Sequence, residues 1–150
     1  MFISGLMAEL RSEKTDKIKM VTIVSGRFGC GKFPDPGVED EQRLTINDRG
    51  GVYFTAYGWE IRNITRHEYI NIGVEKARQI LKLLQDFLLN SNSDLNAKNA
   101  SRWYIHAKMD GGKSIKTDGS IIDCIEYDGI NVSNYIRCRI PINNLIVLGE

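Results

Sequence analysis

The stretch Gly26-Arg27-Phe28-Gly29-Cys30-Gly31-Lys32 has the GxxxxGK spacing of a phosphate-binding loop, in which backbone N–H groups cradle an anion and the lysine reaches its outer phosphates. The pattern then breaks. Position 33 is Phe where a Ser or Thr hydroxyl must reach a metal ion, and Pro34-Asp35-Pro36-Gly37 replaces the helix whose N-terminus would face the phosphates. What remains is a glycine-rich loop in which Gly26, Arg27, Gly29, Gly31 and Lys32 would hold an anion or an acidic partner through successive amides and two cations. Cys30 lies in the same loop, where Arg27 and Lys32 would favour the thiolate that a cysteine nucleophile needs.

The remaining reactive side chains do not assemble into a catalytic pattern. His67 and His106 are the only histidines, and no second histidine or paired carboxylate stands at metal-ligand spacing from either. Cys30, Cys124 and Cys138 contain no Cys-x-x-Cys pair, so neither a metal nor a cofactor is expected, and Cys124 and Cys138 read as small core residues. Aromatic and basic residues give the better signal. Tyr53, Tyr57 and Trp59 are followed by Arg62 and Arg66, while Tyr104, His106 and Lys108 alternate along a second stretch. On a sheet face such residues could stack on bases and neutralise phosphates, or anchor a protein partner. Five basic residues against one acid, Asp110, between positions 98 and 116 add a local positive patch that includes Arg102, Lys113 and Lys116. Four acids between 118 and 128 offset it.

The elements that must position these residues centre on residues 71–90. Val74, Ala77, Ile80, Leu81, Leu84, Phe87 and Leu88 recur at three- and four-residue steps, with Glu75, Gln79, Lys82 and Asp86 opposite. That spacing predicts a long helix with one wide apolar face, capped by Asn71 or Gly73 and ended by Asn90. Before it, residues 18–24 are rich in β-branched types and predict a strand, and residues 25–41 predict a long exposed loop that includes Glu39, Asp40 and Glu41. Residues 44–47 and 52–57 alternate around a 47–51 turn and predict a hairpin; residues 59–68 carry a mixed signal. After the helix, alternation over 103–109 and a turn at 110–112 open a three-strand meander. Its return strand is expected at 114–117, a turn at Asp118-Gly119 and a third strand over 120–127. Asp128-Gly129 breaks that strand, and a short helix capped by Asn131 or Ser133 runs to Arg139 before Pro141, with 145–148 as a brief strand or packed tail.

The layout predicts an α+β fold: an antiparallel or mixed sheet of about five or six strands, the long helix on one face and a short C-terminal helix beside it. Residues 1–18 read as an extension and 19–150 as a single domain, a size that buries a core without staples. No residue string recurs at a fixed spacing, so there is no sequence repeat. With 20 Lys plus Arg, 19 Asp plus Glu and a net charge of +1, no global attraction for nucleic acid or an anionic membrane exists. No apolar run approaches a membrane span, Glu9 interrupts the N-terminal apolar stretch, and three scattered cysteines fit a reducing cytoplasm. These features point away from an enzyme and towards a cytoplasmic protein-binding or adaptor-type domain, with nucleic-acid binding as the first alternative and a small enzyme or anion-binding protein using the glycine-rich loop as the second. In size and type the chain resembles small bacterial domains without catalytic residues, toxin-neutralising immunity proteins among them.

Overall fold

Alternating apolar residues make the strands over 18–24, 44–47, 52–57 and 103–109 legible, and two further segments without that pattern join them in one sheet. The computed structural model describes residues 17–26, 39–58, 63–90, 102–120 and 125–148. The sheet strands are β1 (Ile18–Gly26), β2 (Glu39–Asn47), β3 (Gly51–Gly58), β4 (Ile64–Asn71), β5 (Arg102–Met109) and β6 (Ser114–Ser120). All neighbours are antiparallel in the order β4-β3-β2-β1-β5-β6. The first four strands thus form a meander, and β5 returns to the free side of β1.

Between β4 and β5 lies helix α1 (Val74–Asn90). Gly73 supplies the first helical acceptor, its carbonyl taking the N–H of Ala77, and Asn71 Oδ1 accepts the Gly73 N–H at 2.8 Å. The helix buries Ala77, Ile80, Leu81, Leu83, Leu84, Phe87 and Leu88 and packs over β1 and β2. Opposite them the sheet contributes Val21, Ile23, Leu44, Ile46, Val52, Phe54, Trp103, Ile105 and Ala107, one in every two residues as a half-covered antiparallel sheet requires. At the far end Asn90 Nδ2 caps back onto the Asp86 carbonyl and reaches the Tyr127 hydroxyl.

The helix covers only part of that face. The rest is covered by the C-terminal segment, where α2 (Val132–Arg137) is followed by buried Ile140, Ile142, Leu145, Val147 and Leu148. Gln42 fastens this tail to β2: its Nε2 donates to the Asn144 carbonyl at 2.6 Å and its Oε1 accepts the Ile146 N–H at 2.8 Å. Arg66 donates to the Asn143 carbonyl while its other nitrogens pair with both Glu39 oxygens. The ion pair is half-buried and lies where Arg66 covers the Phe54 ring, its guanidinium 4.6 Å from the centroid.

Several expectations are corrected by this arrangement. Glu39, Asp40 and Glu41 belong to β2 rather than to a loop, because Glu39 and Glu41 pair with Gly58 and Tyr57 of β3 and Glu39 also meets Arg66 of β4. The mixed signal before the long helix is β4, and α1 begins at Val74. Asp118-Gly119 is not a turn; β6 runs through it, since Gly119 sits opposite Trp103 and a Cβ there would fall onto the indole. Among the described residues the expected third meander strand contributes Glu126–Tyr127 (β7), which pairs with Ile130–Asn131 (β8) instead of joining the main sheet. Asp128 and Gly129, with φ of 53° and 76°, make the two-residue turn of that ribbon. Asn131 caps α2 by accepting the Asn134 N–H, and the helix ends at Arg137, two residues before Arg139. Cys138 is exposed, not a core residue, because it lies just past the buried stripe of α2.

Candidate functional site

The face of the sheet turned away from α1 carries the alternate residues of every strand, and register fixes which of them are neighbours. One row runs Tyr69-Tyr53-Thr45-Thr22-His106-Lys116 from β4 to β6. The next runs His67-Thr55-Arg43-Val24-Tyr104-Asp118. Tyr57 and Glu41 stand in the row beyond, beside Gly26, and Lys108 lies across from Met20 at the other end. Four tyrosines, two histidines and three cations therefore share one surface.

Geometry within the rows is specific. The Tyr53 and Tyr69 rings have centroids 4.7 Å apart and planes tilted by 44°, and both are about half-exposed at 47% and 57%. Thr22 and Thr45 hydroxyls meet at 3.1 Å in the centre of the face, and the Thr55 hydroxyl meets His67 Nδ1 at 3.1 Å. Arg43 is held by Glu41 and lies 5.5 Å from the Tyr57 ring centroid. Tyr104 is 40% exposed on the β5 side. Lys108 and Lys116 make no ion pair among the described residues, so this side of the face presents free positive charge.

The Thr55–His67 contact has the hydroxyl and imidazole of a nucleophile–base pair, but no described group orients the second ring nitrogen. Among the described residues no three His, Cys, Asp or Glu side chains gather as metal ligands. A cleft of about 800 Å³ lies elsewhere, between the middle of α1 and the turns after β2 and β5, with Ile18 and Leu81 in its lining. Its rim has Lys17, Arg78 and Lys82 against Asp48, Asp86 and Asp110, a balance that selects neither anion nor cation. No helix of the described residues is long and apolar enough to cross a membrane.

Of the residues singled out in the sequence, Tyr53, Tyr57, Tyr104, His106 and Lys108 come together on the uncovered face. Gly26 ends β1 opposite Glu41. Trp59, Arg27, Gly29, Gly31 and Lys32 lie outside the described residues, as does Cys30. Sequence reasoning missed Tyr69 and His67 as members of the face. Their signal was the alternation of His67, Tyr69 and Asn71, hidden because Arg66 and Glu68 occupy the covered positions between them. No protein-family model matches the chain, and no curated protein matches it.

Proposed function

We propose that the protein is a non-enzymatic docking module whose uncovered sheet face binds a protein partner with an acidic surface. The observation that carries this is the clustering of Tyr53, Tyr57, Tyr69 and Tyr104 on one open surface bordered by Lys108 and Lys116, which make no ion pair among the described residues. Tyrosines supply large contact area with little rotamer entropy to lose, and their hydroxyls remain compatible with water before binding. The cations steer an acidic partner and set its orientation. Neutralising a toxin by covering it is one use of such a face. An exposed thiol at Cys138 is at home in a reducing cytoplasm.

A second reading rests on β5 and β6, where Tyr104, His106, Lys108 and Lys116 combine an exposed ring with cations on the same face. Single-stranded nucleic acid would then stack on Tyr104, and binding would fall steeply with salt. Capture of partners on tagged protein, with and without nuclease, separates the two. Docking of a protein predicts a stoichiometric partner that survives nuclease and is lost with Tyr53→Ala/Tyr104→Ala. Loss of all partners on nuclease treatment would overturn it in favour of nucleic acid.

A further inference from the structure

We infer that the edge of β4, which no described strand occupies, pairs with β4 of a second copy of this chain, joining two sheets and their open faces into one. An edge strand is a template for another strand unless something blunts it. β6, the opposite edge, carries exposed Lys116, while Asp118 is already engaged within the chain. β4 instead exposes Ile64 and Tyr69, at 62% and 57%, contains neither Pro nor Lys, and pairs regularly from Arg66 to Asn71, past a bulge at Thr65.

A two-fold axis through the edge demands that residues facing each other across it project from the same side of the sheet, so the axis passes through a residue and not between two. The charges then choose which. An axis at Arg66 or at Glu68 sets like charges against each other, whereas an axis at His67 places Arg66 of each copy opposite Glu68 of the other. Glu68 has capacity for this, since its present contact with Arg66 is long, at 3.7 Å, and it is partly exposed; Arg66 keeps its bonds to Glu39 and the Asn143 carbonyl and contributes its charge across the axis. On the open side the same register sets Tyr69 of each copy two residues from the axis, so the two Tyr53–Tyr69 pairs flank it. The partner copy thereby extends the aromatic face. The pairing does not depend on what that face binds, and it stands or falls separately from the docking function.

Sedimentation of the full chain across concentrations tests it. A species of twice the 17.0 kDa chain mass is expected at about 100 µM, with Glu68→Lys and Ile64→Lys each shifting its dissociation constant upward by about tenfold or more. Hydrogen exchange of residues 64–71 should slow as concentration rises, a readout that needs no variant. A monomer at about 100 µM would overturn the proposal. So would a dimer unchanged by both substitutions, or exchange in β4 that is independent of concentration.

Discussion

Gln42 shows how a single polar residue is made indispensable by what surrounds it. It is 4% exposed, and its amide serves two backbone groups of a tail more than a hundred positions away. Replacing it with Ala strands the Asn144 carbonyl and the Ile146 N–H, each costing roughly 1–3 kcal/mol when left unpaired. Gln42→Ala is therefore expected to lower the urea midpoint by an amount corresponding to about 2–4 kcal/mol. Gly119 is constrained differently. Its missing Cβ leaves room for the buried Trp103 ring, which packs against Phe87 with centroids 6.4 Å apart. Gly119→Ala should destabilise by about 1–3 kcal/mol through displacement of that ring, read as a lowered midpoint in urea. Gly50, with φ of +95°, lies against the Gly73 backbone and lets its own carbonyl accept the Ile72 N–H, so the β2–β3 turn abuts the start of α1.

Among the described elements, α1 buries the most core residues, and its two sides should respond unequally to truncation. Leu84 is fully buried and Leu89 is 58% exposed. Leu84→Ala is expected to cost about 2–5 kcal/mol, while Leu89→Ala should stay within about 0.5 kcal/mol of wild type by urea denaturation. The α1 pattern and the β2–β3 hairpin were legible because burial there is purely apolar and the period shows. The two ends of the covered face were not. In β4 and at the start of β2 the inward positions hold Arg66, Glu68, Glu39 and Gln42, closed over by an ion pair and the C-terminal tail instead of by hydrophobic residues. A hydrophobic period cannot reveal a strand whose cover is polar. Gly119 misled in the same way: a glycine after an aspartate signals a turn, and only the indole across the strand pair explains it. The open face was half legible, since alternation put Tyr53 with Tyr57 and Tyr104 with His106, but which strands lie side by side follows from β5 returning to β1. That pairing joins residues some eighty positions apart, beyond the reach of local patterns.

For the whole molecule, the division of labour is between two faces of one sheet. One face is closed by α1 and the C-terminal tail, and the other is left with tyrosines, histidines and lysines in register. An exposed surface of this kind is useful to a partner only if its aromatic residues are anchors and not bystanders. Calorimetric titration of the captured partner into wild type, Tyr53→Ala/Tyr104→Ala and the far-side control Leu89→Ala tests this most directly. Binding through the open face predicts a loss of about thirtyfold or more in affinity for the tyrosine variant, with melting temperature nearly unchanged, and none for the control. Equal affinity in the tyrosine variant and wild type would contradict it and move the binding site to another surface.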